Sequence, residues 1–219
     1  MVVDNVGRIL EGLLPGETVL LEYTSYVMPE LLLKSFWDFC AEKGIPMIID
    51  DVLDTFGEYL IKLDVGGFDV EGLQGVPVIK IGGSSRTGNV FGIVDVGRHS
   101  LDFGYYESIY TRARGDKFVF NPVLGFHKLF LSLSEREVLR LIRNLASFVG
   151  HRDRVAVYVV NSDIAGATFP AHLALFRDVA TTVMSFDLVE TEQVLRVVKS
   201  PNPDLRGSAV SIDLWARDF

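Results

Sequence analysis

Cysteine is nearly missing from this chain. Cys40 is the only one in 219 residues, so no intrachain disulfide can form and nothing points to an oxidising, secreted setting. On what reads as an amphipathic helix, FWDFCAEKG, Cys40 reads as a buried, inert thiol. No cysteines and histidines cluster at zinc-ligand spacing, since His99, His127, His151 and His172 are scattered. Basic charge is scarce as well. Lys and Arg number 21 against 29 Asp and Glu, a net charge of −8. Affinity for a phosphate backbone comes mainly from Lys and Arg, so nucleic acid is not an expected partner. The short basic stretches, Arg112 with Arg114 and Arg152 with Arg154, each include an aspartate, Asp116 and Asp153. No apolar run approaches the roughly 20 residues that cross a bilayer, and the opening MVVDNVGRILEG lacks a basic leader. The expected setting is cytoplasmic, with no membrane partner. G-x-S-x-G is also missing, which argues against an α/β-hydrolase nucleophile elbow.

What is present is a core. Hydrophobic residues make up 48% of the chain, enough to bury a sizeable interior. Short apolar runs alternate with helical periodicity, the mark of α/β architecture. Strands are expected at 17–23, 46–50, 76–81, 90–94, 117–120, 154–160, 181–186, 193–198 and 208–214. Helices are expected at 29–43, 52–63, 102–114 (capped by Ser100), 135–149 and 170–178. Pro29 suits a first helical turn and Gly44 a C-cap. Ser134 and Glu137 have capping-box spacing. The aromatic, basic stretch FGYYESIYTRAR has helical spacing, which favours core and subunit contacts over base stacking. With no repeat and no linker, residues 1–219 read as a single domain. The fold expected is three-layer: a mostly parallel sheet, helices on both faces, and antiparallel strands at the C-terminal end.

Several segments, taken in order, resemble the RecA/KaiC-type ATPases. The turn Leu14-Pro15-Gly16-Glu17 leads into the strand Thr18–Glu22. Glu42-Lys43-Gly44-Ile45-Pro46 follows the next helix, and Asp50-Asp51 stands where KaiC-like proteins carry an acidic pair, one member a catalytic base. VAVYVVNSD resembles a Walker B strand, and VATTVMSF and LRVVKSPNPDLRG resemble the strands that follow. More specifically, the chain resembles a small uncharacterised family from hyperthermophilic archaea (Thermococcales), a resemblance that brings no established activity with it. One departure from the ATPase pattern is large. The Walker A loop G-x-x-x-x-G-K-[ST] is absent, and Tyr23-Thr24-Ser25-Tyr26-Val27-Met28 holds its place with neither Gly nor Lys. Lys34 comes too late, inside the helix. ATP and magnesium are therefore not expected cofactors.

Ligands in such sheets bind beyond the carboxyl ends of the strands. That selects Thr24, Ser25 and Tyr26, then Asn161 and Arg86, as candidate ligand-binding residues. Asp50, Asp51 and Asp163 are candidates for acid, base or metal roles. The alternatives for Asp50 and Asp51 are caps on the next helix. Tyr23, Tyr26 and Met28 read as a lid over an old nucleotide site or as filling for it. Gly83-Ser84-Ser85-Arg86-Thr87-Gly88 has glycines at phosphate-loop spacing but continues without Lys, and reads as a surface loop or a weak anion site. Two functions stay open: a non-hydrolysing regulatory or scaffolding protein acting through a homo-oligomer or partner, and an enzyme or ligand binder using Asp50, Asp51 and Asp163 in one cleft.

Overall fold

The computed structural model describes residues 2–96 and 103–212. In chain order they form α1 (Val2–Glu11), β1 (Thr18–Tyr23), α2 (Glu30–Lys43), β2 (Ile49–Val52), α3 (Thr55–Val65), α4 (Glu71–Gln74), β3 (Pro77–Ile81) and β4 (Asn89–Val94). There follow α5 (Phe103–Arg114), β5 (Val119–Leu124), α6 (Lys128–Ser132), α7 (Glu135–Phe148), β6 (Arg154–Asn161), α8 (Ser162–Thr168), α9 (Pro170–Val179), β7 (Thr182–Val189), β8 (Glu192–Lys199) and β9 (Ala209–Ile212). Among the described residues nine strands make one sheet, ordered β4-β3-β2-β5-β6-β1-β7-β8-β9. Pairing is parallel from β4 to β7 and antiparallel for β7–β8 and β8–β9.

Side-chain alternation along the strands sorts two layers of core. Val19, Leu21, Val157 and Val159 face α1, α2 and α3, meeting Ile9, Phe36 and Phe56. Leu20, Tyr158 and Val160 point the other way, onto Leu141 and Ile142 of α7 and Phe176 of α9. All eight residues of β6 are buried, as befits a central strand covered on both faces. Each fully buried Leu or Phe contributes roughly 1.5–3 kcal/mol.

Local signals act where expected. Gly44 takes the left-handed conformation that ends α2, φ 65°. The Ser134–Glu137 capping box opens α7, with the Ser134 amide donating to Glu137 Oε2 at 2.8 Å. Two boundaries differ from the sequence expectation. β2 is Ile49–Val52 rather than 46–50, so Asp51 as well as Asp50 lies within the strand, and α3 starts only at Thr55. The short helices α4, α6 and α8 carry too little periodicity to be read from the sequence, whereas α1 shows apolar Val6, Ile9 and Leu10 at helical spacing that the expectation left unused. The proposed cap at Ser100 and the ends of the 102–114 and 208–214 segments lie outside the described residues.

β5 also runs past its expected end and takes Pro122 into the middle of the sheet, where proline normally costs a ladder bond. The ladder beside it shows the repair. The Phe120 amide donates to Pro46 O at 2.9 Å, and the Ile48 amide donates to Phe120 O at 3.0 Å. The next donor in this register would be the N–H that Pro122 lacks. Asn121 Nδ2 donates instead to Ile48 O, at 3.0 Å. Asn121 Oδ1 then accepts from Arg154 Nη1 at 3.3 Å, so the patch also positions a buried arginine.

Candidate functional site

Three polar assemblies sit at or near the carboxyl edge of the sheet. The first joins the β1–α2 connection to the end of β6. Asn161 caps α8 by accepting the Ile164 amide on Oδ1 at 3.0 Å, and its Nδ2 donates to Ser25 Oγ at 3.1 Å. The Ser25 amide donates to Asp163 Oδ2 at 2.8 Å. The Thr24 amide donates to Phe186 O, and the Val27 amide turns back onto Thr24 O. The Met28 amide donates to Gln193 Oε1 at 2.6 Å. These are the backbone donors that an anion at this spot would need. Glu30, buried in the first turn of α2, adds a carboxyl whose Oε2 has no partner, and burial pushes its pKa up. Lys34 pairs with Asp38 at 2.5 Å. The residues of this connection therefore do not fit a nucleotide phosphate with its magnesium. Tyr26 corrects a sequence expectation. It is 81% exposed and fills nothing, whereas Tyr23 is buried edge-on against His127.

The second assembly lies at β2 and β3. Lys80, 2% exposed, donates to Asp51 Oδ2 at 2.6 Å and to Asp54 Oδ1 at 2.5 Å. Asp51 Oδ1 accepts the Phe56 amide at 2.8 Å, so Asp51 does serve the start of α3, from inside a strand. Asp54 accepts the amides of Ser84 and Ser85 at 2.9 and 3.0 Å. The 83–88 loop thus spends its amides on a carboxylate of its own chain. Arg86 is exposed on that loop. Burial lowers the Lys80 pKa, but Asp51 and Asp54 outweigh it and the net shift is upward.

The third assembly is on the opposite face of β2. Asp50 is 2% exposed and accepts from Tyr106 Oη at 2.6 Å, and Oδ1 has no partner. Arg154 lies over the rings of Tyr110 and Phe148, at 5.1 and 4.9 Å. Neighbouring residues in a strand point to opposite faces, so Asp50 and Asp51 cannot share one site. Asp163 belongs to the first assembly. The single cleft expected from Asp50, Asp51 and Asp163 is not what the fold builds.

His127 was passed over in the sequence. It sits just past β5, and its Nδ1 accepts the Asn161 amide at 3.2 Å. A lone histidine gave no signal for this, because the partner lies 34 residues away. Burial, then the Lys128 charge, holds His127 down to about 4 from 6.5. Burial pushes Asp50 up from 3.8 to about 6, against the Tyr106 hydrogen bond and the Arg154 charge. The two act in opposite directions on stability. The Asp50 contribution is full below 3.8 and lost as pH rises through about 6; the His127 contribution is full above 6.5 and lost as pH falls through about 4. Between those limits these two contributions largely offset one another, which urea unfolding of the parent beside its single variants reads out. His127→Asn should leave stability falling as pH rises, and Asp50→Asn should leave it rising, each by roughly 3 kcal/mol at most for about two pKa units.

Residues 8–211 match the family described as Pyrococcus protein of unknown function, DUF257, and the chain belongs to that family. The solved Pyrococcus horikoshii OT3 protein PH0250 is 31% identical, with a TM-score of 0.84 over 94% of this chain and 98% of that one. The KaiC-like protein PH0186 from the same organism is 12% identical, with a TM-score of 0.61 over 90% of this chain and 85% of that one. That second likeness shows the fold alone: a KaiC-like, RecA-type α/β sheet. No curated protein matches the chain.

Proposed function

We propose that this member of the DUF257 family is a KaiC-like protein that binds rather than hydrolyses, with a regulatory or scaffolding role toward a partner protein or further copies of itself. One observation carries the reading: the Asp163 carboxylate accepts the Ser25 amide, where a phosphate loop would offer its backbone to a nucleotide. A carboxylate there both uses up the donor and repels a phosphate. Glu30 adds a second acid at the start of α2, and no lysine within the connection opposes them. ATP and magnesium therefore have no place in this proposal. RecA-like cores commonly associate side by side, and by that analogy the sheet serves as a platform.

The test is phosphate release from Mg-ATP together with native mass spectrometry of the purified chain. The proposal expects no release above background and either a defined oligomer or a stoichiometric complex with a purified partner. Phosphate release that Asp50→Asn or Asp163→Asn abolishes would overturn it.

A further inference from the structure

At the amino-terminal edge of the sheet lies an open groove of about 530 Å³. Small-molecule clefts usually measure roughly 300–1,000 Å³. Its floor is the chain entering β2, β3 and β5, and it runs from α2 and α4 on one face of the sheet to the end of α5 on the other. Trp37, Cys40, Ala41 and Gly44 stand at i, i+3, i+4 and i+7, so a single stripe of α2 and its cap forms one wall. Trp37 supplies a flat ring. Gly72 of α4 leaves room for it, since a Cβ there would lie 2.7 Å from the ring. Pro46 and Pro77 add two further flat, apolar surfaces. A planar aromatic body suits such walls, because it brings a large contact area.

The charge of the lining runs against that of the chain. Arg114 and Lys117 line the groove, and among the described residues no Asp or Glu does, although the net charge is −8. The two cations are not equivalent. Arg114 Nε lies 3.2 Å from Asp153 Oδ2, and Nη1 donates to Lys117 O at 3.2 Å. Arg114 also stands in the last turn of α5, where a cation offsets the negative end of the helix. Lys117 is exposed, and its Nζ has no ion pair among the described residues. One uncompensated positive charge matches one negative charge. A carboxylate meets that count, whereas a phosphate dianion would stay half neutralised at a single lysine.

We propose that this groove is a binding site for a small aromatic monocarboxylate, whose ring packs against Trp37, Pro46 and Pro77 and whose carboxylate pairs with Lys117. The site lies at the opposite end of the strands from the β1–α2 connection and does not depend on how that connection treats nucleotides.

The experiment is calorimetric titration of the full chain with 2-naphthoate, 2-naphthamide, 2-naphthylmethylamine and cyclohexanecarboxylate. The first three share a ring system and differ in charge; the fourth keeps the carboxylate and loses the aromatic body. Binding of 2-naphthoate should be about fivefold tighter than that of 2-naphthamide, the upper range for an exposed ion pair, and the advantage should fade in high salt. The amine and cyclohexanecarboxylate should bind more weakly than 2-naphthoate. Lys117→Met should bring 2-naphthoate down to the level of the amide and leave the amide unchanged. Ala41→Phe, on an exposed position of the α2 wall, should abolish binding of both while circular dichroism stays that of the parent. The proposal is overturned if 2-naphthoate does not bind the folded parent, or if acid and amide bind alike. It is equally overturned if a folded Lys117→Met or Ala41→Phe variant binds 2-naphthoate as well as the parent does.

Discussion

Replacing Lys80 with methionine should cost about 3–5 kcal/mol, the usual consequence of removing one partner from a buried ion pair. Lys80 is 2% exposed and Asp51 is fully buried, so the carboxylate left behind cannot reach water. Asp54 loses the same partner and keeps only the Ser84 and Ser85 amides of the 83–88 loop as donors. In a chain of this size that corresponds to a fall in Tm of roughly 6–20 °C. Asp51→Asn combined with Lys80→Met should recover a large share, because the pair leaves together and the amide can still accept from Phe56. Urea unfolding of the two single variants and the double variant reads the coupling. If Lys80→Met costs less than about 1 kcal/mol, the pair is not the anchor of this corner of the sheet.

Gly125→Ala is the second large effect. Gly125 has φ +76°, and a Cβ there would lie 2.0 Å from Thr55 Oγ1 and 2.9 Å from Val52 O. Thr55 Oγ1 already donates to Val52 O at 2.7 Å, so a methyl group would displace both the turn and the first residue of α3. The left-handed backbone costs about 1–2 kcal/mol and the overlap about 1–3 more. Gly150 is the control. It has φ +88° with nothing within 4 Å of its Cβ, so Gly150→Ala should show the backbone cost alone. Equal losses at the two positions in thermal unfolding would mean that the 125 turn relaxes freely.

Strands with strong apolar runs, such as β1 and β6, and the capped helix α7 were legible because local pattern and tertiary environment agree. β5 was cut short because its proline reads as a strand end, and the donor that repairs the ladder, Asn121, is a side chain with no local signature. The acidic pair at Asp50 and Asp51 was visible as a feature. Its meaning was not, because a shift of the strand by a few residues decides that the two carboxylates face opposite ways. Lys80, His127, Tyr106 and Arg154 carry most of the buried polar chemistry, and the first three find partners far along the chain. Composition and spacing contain no trace of such pairings. The β1–α2 connection was legible as a loop without Gly or Lys, while the hydrogen bond from the Ser25 amide to Asp163 needed the fold.

The central claim is that the KaiC-like sheet survives here with its nucleotide position taken up by the chain's own carboxylate. Thermal unfolding with and without millimolar Mg-ATP tests it most directly. A ligand held at 100 times its Kd adds about 2.7 kcal/mol, several degrees for a chain of this length. The account predicts no shift for the parent. A clear shift of the parent that Ser25→Pro or Asp163→Asn removes would contradict it, by showing that ATP binds at this connection after all.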